Sequence, residues 1–117
     1  MSKKSDKHFV FVYGTLRPPD KEATHHLPGF DMFDAGKFPY IVPSQSGFPS
    51  VYGNLLEVNR AELAYLDRIE GVDHGLYLRN EVYVHDIDSG IVCKAWAYVG
   101  GPLLLPKPIP SGDWTKR

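Results

Sequence analysis

The run Phe9-Val10-Phe11-Val12 limits what this chain can become more than any other stretch. It holds only β-branched and aromatic side chains, and it breaks at Tyr13-Gly14-Thr15-Leu16. A short apolar run closed by a glycine reads as a strand buried on both faces. Gly14 can adopt backbone angles closed to other residues, so the chain can turn sharply there. It also lets another backbone or a ligand come close. A rigid strand that delivers a glycine turn with free backbone N–H groups can hold a small anion. On these residues alone, a strand that simply ends at Tyr13-Gly14 is the other reading.

The rest of the chain bounds the setting. Its 117 residues allow one domain with a real core, and apolar residues at 43% are normal for a globular protein. We expect a flexible tail over residues 1–7 and a single domain over 8–117. A formal net charge of −1 argues against a nucleic-acid partner. No apolar run approaches the roughly 20 residues that cross a bilayer. The opening MSKKSDK lacks the apolar segment of a signal peptide. Cys93 is the only cysteine, so no internal disulfide can form, and a reducing, cytoplasmic setting fits.

In chain order, Pro18-Pro19 opens a loop, with a short helical turn expected over Glu22 to Leu27 before Pro28-Gly29. A short strand is expected from Met32 to Phe38, then a long loop over 39–50 from which Tyr40-Ile41-Val42 dips into the core. Val51 to Val58 reads as a strand, with Gly53 as a bulge or close-approach point. Asn59 has the character of a helix N-cap, with Glu62 in capping-box position, so a helix is expected from Arg60 to Glu70, stopped by Gly71. Tyr77 to Asp86 and Ile91 to Val99 read as an antiparallel hairpin around Asp88-Ser89-Gly90. The Pro/Gly-rich remainder is expected to be irregular, with Leu103 to Leu105 and Trp114 strapped across the body.

Glu70 is the most informative polar residue. A helix turns about 100° per residue. Leu63 and Leu66 mark the apolar stripe, and Glu70 follows them by seven and four positions, so it projects between them toward the core. Asp67 falls near one margin of that stripe. An inward carboxylate is costly unless paired or protonated, and the negative end of the helix dipole adds to the cost. Both effects raise its affinity for protons, as a general acid/base near neutral pH requires. Because helix ends fray and Gly71 is permissive, a solvated Glu70 stays open at this level. Tyr77 can bring a hydroxyl near the helix end, or serve as a core tyrosine. The histidines at 8, 25, 26, 74 and 85 show no metal spacing, and His25-His26 reads as solvated loop. Cys93 reads as a small core residue of the last strand.

Taken together, these motifs resemble the gamma-glutamylcyclotransferase-like family, within it the gamma-glutamylamine cyclotransferase type. The resemblance rests on Tyr13-Gly14-Thr15-Leu16, Phe38-Pro39, Val51-x-Gly53 with Leu55-x-x-Val58, Leu66-Asp67-x-x-Glu70-Gly71, Tyr77-x-Arg79, Ala97-Tyr98-Val99 and Ser111-Gly112-Asp113-Trp114. It implies an α+β fold: one compact domain built on a curved, barrel-like mixed sheet with few short helices. It implies that Glu70 is the acid/base, that Tyr13, Gly14, Thr15 and Leu16 bind a gamma-glutamyl group largely through backbone N–H groups, and that Tyr77 sits in the pocket. The implied reaction closes the gamma-glutamyl group of a small molecule to 5-oxoproline and frees an amine. It requires no metal, no other cofactor, no nucleic acid and no membrane. A non-catalytic module that binds a similar small ligand in the same pocket is the alternative. Residues 17–30 and 39–50, with Arg17 and Pro18-Pro19 among them, are where preference for the leaving group is expected to lie.

Overall fold

The computed structural model describes residues 6–14, 16–34, 38–72, 76–100 and 108–116. The strands are β1 (His8–Val12), β2 (His25–Pro28), β3 (Phe30–Asp34), β4 (Pro39–Pro43), β5 (Ser50–Val58), β6 (Tyr77–Asp86), β7 (Val92–Gly100) and β8 (Pro108–Ile109). One α-helix, α1 (Arg60–Ile69), lies between β5 and β6. Five strands close a barrel in the order β1-β5-β2-β6-β7, and β4-β3-β8 form a separate three-stranded sheet.

β1 separates two halves of the core, as its composition requires. Successive side chains of a strand point to opposite faces. Phe11 and Tyr13 therefore join one apolar cluster with Leu27, Val51 and Val84, while Val10 and Val12 join another with Val58, Leu63 and Leu66. Phe9 departs from the expected double burial and is 39% exposed. β1 pairs antiparallel with β5, from His8↔Val58 to Val12↔Asn54, and parallel with β7 at Val10↔Trp96. The sheet is thus mixed and closes on β1.

Gly53 is a close-approach point and not a bulge. There β5 leaves β1 and takes up β2, whose pairing starts at His25↔Gly53. A Cβ at Gly53 would stand 2.3 Å from the Val12 carbonyl oxygen, so no larger residue fits without moving backbone. The hairpin forms as expected, in continuous register from Tyr77↔Gly100 to His85↔Val92. In its turn the Asp86 Oδ1 accepts the N–H groups of Asp88 and Ser89, and Gly90 has φ +75°. Ile91 lies just outside the strand and is exposed, whereas Cys93 packs half-buried against the first cluster.

Three expectations need correction. Residues 25–28 form a strand and not the end of a helical turn, and His25 and His26 are half-buried in it. The expected loop over 39–50 is partly strand: β4 pairs with β3 from Asp34↔Pro39 to Phe30↔Pro43. β4 stands at the edge of its sheet, where prolines are tolerated because the missing N–H can fall on the side away from the ladder. The strand expected over Met32 to Phe38 is β3, shifted to Phe30–Asp34. In the C-terminal segment, Ile109 pairs with Met32, and Trp114 is buried in the first cluster. Leu103 to Leu105 and His74 lie outside the described residues, as do residues 1–5 of the expected tail. Asp6 accepts the Arg60 N–H at 3.0 Å, at the N-terminal end of α1.

Candidate active site

The site is assembled where β1 ends, α1 ends and β6 begins. The helix is set by its first turn: the Asn59 Oδ1 accepts the Glu62 N–H at 2.8 Å, and the Glu62 Oε1 accepts the Asn59 N–H at 2.9 Å. Such reciprocal caps contribute about 1 kcal/mol. Leu63 and Leu66 are the buried residues of α1. Glu70 is bonded into the helix end through its N–H to the Leu66 carbonyl at 2.9 Å, and Gly71, whose N–H reaches the Arg68 carbonyl at 3.1 Å, turns the chain away with φ +66°. The start and stop signals in the sequence therefore place Glu70 at the helix end, as expected.

Its side chain faces inward. Glu70 lines one cavity together with Tyr13, Gly14, Leu16 and Tyr77, and Phe11, Val12, Phe38, Pro39 and Tyr98 complete the described lining. The cavity encloses about 380 Å³ of empty space, part of it open to solvent. Of the five candidates read from the sequence besides Glu70, four meet there. Thr15 lies outside the described residues. Glu70 is half-buried, and loss of hydration pushes its carboxyl above the usual carboxylate range.

Three tyrosines surround the carboxylate. Tyr13 donates its hydroxyl to the Tyr98 carbonyl at 2.5 Å, and Tyr77 donates to the Pro39 carbonyl at 2.6 Å. Tyr98 donates to Asp67 Oδ1 at 2.7 Å. Burial raises all three phenols, and the Glu70 charge raises them further, so they stay protonated. Each phenolic proton is committed to a protein oxygen. Glu70 is the only charged residue of the described lining, and its carboxylate suits an ammonium group.

Of the two reasons expected for Gly14, the structure uses close approach and not a special backbone angle. Its φ is not in the left-handed region. A Cβ at Gly14 would instead come within 2.6 Å of Pro39 Cγ and 2.8 Å of its Cδ, and a proline ring cannot rotate aside. Gly14→Ala is expected to cost about 1–3 kcal/mol in a denaturant titration through overpacking. A loss below 0.5 kcal/mol would show that this contact yields easily. The turn beyond it is closed by the Arg17 N–H on the Gly14 carbonyl at 3.0 Å.

Arg17 is not among the residues that line this cavity; its guanidinium is buried between the Asn54 Oδ1 at 3.0 Å and the Asp113 Oδ1 at 2.9 Å. Tyr98, given no role from the sequence, also lines the cavity, and behind it Asp67 joins the Tyr98 hydroxyl to Arg79. Alternation along the last strand could have flagged Tyr98 as inward. Nothing local points from Asp67 to its partners, which lie on other strands. Among the described residues, no group of three His, Cys, Asp or Glu side chains could hold a metal ion. No helix among them is long and apolar enough to cross a membrane.

The model of the gamma-glutamyl cyclotransferase, AIG2-like family matches residues 10–116. A Vibrio cholerae protein that carries the provisional name gamma-glutamylcyclotransferase is 31% identical over 123 residues, covering 95% of this chain and 98% of that one. A solution structure from Arabidopsis thaliana is 30% identical with a TM-score of 0.70, over 90% of this chain and 78% of the other. A solved gamma-glutamyl cyclotransferase, 23% identical, has a TM-score of 0.68 over 89% of this chain and 72% of its own, a likeness of fold. A family match from the first strand to the last buried tryptophan, on the same closed barrel, leaves one assignment: the chain belongs to the gamma-glutamyl cyclotransferase, AIG2-like family of enzymes.

Proposed function

We propose that this protein converts a gamma-glutamyl amine or amino acid to 5-oxoproline and a free amine, without a cofactor, with Glu70 as the single general acid/base. One observation carries the reading: a half-buried carboxylate whose proton affinity is raised by burial shares a cavity with the glycine corner at Gly14. The gamma-glutamyl α-ammonium meets the carboxylate of Glu70, the charged residue of the described lining. The α-carboxylate, which finds no cation in the described lining, is received by backbone N–H groups of the Gly14-Thr15-Leu16 turn.

The chemistry then needs one proton carrier. Ionised Glu70 takes a proton from the ammonium, and the freed amine nitrogen forms a bond to the γ-carbonyl carbon. The same carboxyl returns that proton to the departing nitrogen as the carbon–nitrogen bond breaks, then carries over the extra proton left on the ring nitrogen, so that 5-oxoproline forms as a neutral lactam and the amine departs as an ammonium ion. Atoms balance with no water consumed. Nucleophile and carbonyl belong to one molecule, so holding the substrate folded supplies much of the acceleration. The turn N–H groups can also steady the oxyanion as it forms.

The test is release of 5-oxoproline, followed by mass spectrometry over a panel of gamma-glutamyl amines and amino acids. A thermal shift with some of these compounds, but no product from any, would favour a binding module. The pH profile adds a second check. Glu70 must be ionised to start the reaction, and burial raises its proton affinity. The acid limb of kcat/KM is therefore expected to lie above the ordinary glutamate value of about 4.3, with activity rising as pH passes upward through it. A profile that is flat from there to neutrality would contradict the role given to Glu70.

A further inference from the structure

We propose that Asp67 is a positioning residue, which holds the Glu70 end of α1 against β6 and β7 through Arg79 and Tyr98. This rests on the reading of Glu70 as the acid/base.

The end of the helix is held by backbone bonds, from the Gly71 N–H to the Arg68 carbonyl and from the Leu76 N–H to the Gly71 carbonyl, by Val72 against the second cluster, and, among the described residues, by one polar side-chain link. Of its ten residues only Leu63 and Leu66 are buried. Glu70 is followed directly by the left-handed Gly71, the most permissive residue for a swing toward water. Asp67 is one turn before Glu70, and residues three apart on a helix are surface neighbours. Its Oδ1 accepts from two directions: the Tyr98 hydroxyl of β7 at 2.7 Å and the Arg79 Nε of β6 at 2.9 Å. Arg79 is held in turn, with its guanidinium 4.4 Å from the centre of the Trp96 ring. Tyr98 also accepts the Tyr13 hydroxyl on its backbone carbonyl. One carboxylate thus joins the helix end to two barrel strands and, through Tyr98, to the residue before Gly14.

The contribution is to position more than to stability. The Asp67 and Arg79 side chains are 25% and 26% exposed, and ion pairs so open to water add little to folding. Yet a shift of about 1 Å in a catalytic group can cost on the order of 100-fold in rate. The groups that face Glu70 are Tyr13 at the end of β1, Tyr77 on β6 and Tyr98 on β7.

Two variants of the full chain test the proposal. Asp67→Asn keeps the shape but weakens both contacts. Tyr98→Phe removes one contact and leaves the charges of Asp67 and Arg79 in place. The readouts are kcat and KM for the panel compound that wild type turns over fastest, and the titration midpoint of Glu70 from its side-chain carboxyl carbon by NMR. We expect kcat to fall about 10- to 100-fold with KM changed less than about twofold. The Glu70 midpoint should move toward the ordinary glutamate value in both variants, as its carboxyl gains water. In Tyr98→Phe that movement cannot come from a lost charge. Lower thermal stability with wild-type kcat and midpoint in the folded variants would overturn the proposal. If Glu70→Gln proves fully active, the acid/base reading fails separately, and the NMR midpoints still decide whether Asp67 holds the helix end.

Discussion

Glu70→Gln is expected to stay folded and to lose about 10²- to 10⁴-fold in kcat, the usual worth of a positioned acid/base. The amide has the size of the carboxyl and cannot carry a proton between the ammonium and the leaving nitrogen. KM should change much less, because the backbone donors and the rest of the cavity wall remain. The same variant has a signature in stability, and its sign can be worked out. Burial raises the folded-state pKa of Glu70 above its unfolded value. The folded protein therefore binds this proton more tightly than the unfolded chain does, so lowering pH through the raised pKa stabilises wild type. Above that pKa the ionised carboxylate is a cost to folding. Glu70→Gln carries no such cost, so it should be at least as stable as wild type at neutral pH. That advantage should vanish below the unfolded value. Paired urea titrations at neutral and acid pH would read the difference. Wild-type turnover in the variant would remove Glu70 from the chemistry, whatever its effect on stability.

Arg17→Ala is expected to remove about 3–5 kcal/mol, a large share of the about 5–15 kcal/mol that holds a typical domain folded. The side chains of Arg17 and Asp113 are only 6% and 11% exposed. Removing the cation leaves a buried carboxylate with Thr115 as its remaining described donor, and takes from Asn54 Oδ1 the Arg17 Nε–H that it accepts. Burial pushes the Asp113 carboxyl up, but the bonds from Thr115 and Arg17 outweigh it and hold it below the usual range. For a carboxyl lowered in this way, the stabilisation is present above its unfolded pKa. It is lost as pH falls through the folded value, and in Arg17→Ala this acid-side loss should shrink. Replacing both partners by apolar residues, as in Arg17→Met with Asp113→Leu, should recover most of the loss, because no charge is then stranded. Denaturant midpoints for the single and double variants would decide. A single variant within 1 kcal/mol of wild type would mean that water reaches the carboxylate.

What was legible in the sequence was whatever neighbours along the chain decide. The Phe9–Val12 run, the Asn59–Glu62 cap, the Gly71 stop and the hairpin turn at Asp86–Gly90 are settled within a few residues, by side-chain alternation, helical spacing and local hydrogen bonds. Glu70 facing inward follows from the same spacing. What only the tertiary structure decided is everything whose partner is distant. His25–Pro28 and Pro39–Pro43 carry little strand signal of their own, and they are strands because β5, β6 and β3 supply their backbone partners. Arg17 finds Asp113 96 positions away, and Tyr98 finds Asp67 31 positions away. A backbone or side-chain group bonds to whatever the closed barrel brings within about 3 Å, and separation along the chain carries no trace of that nearness.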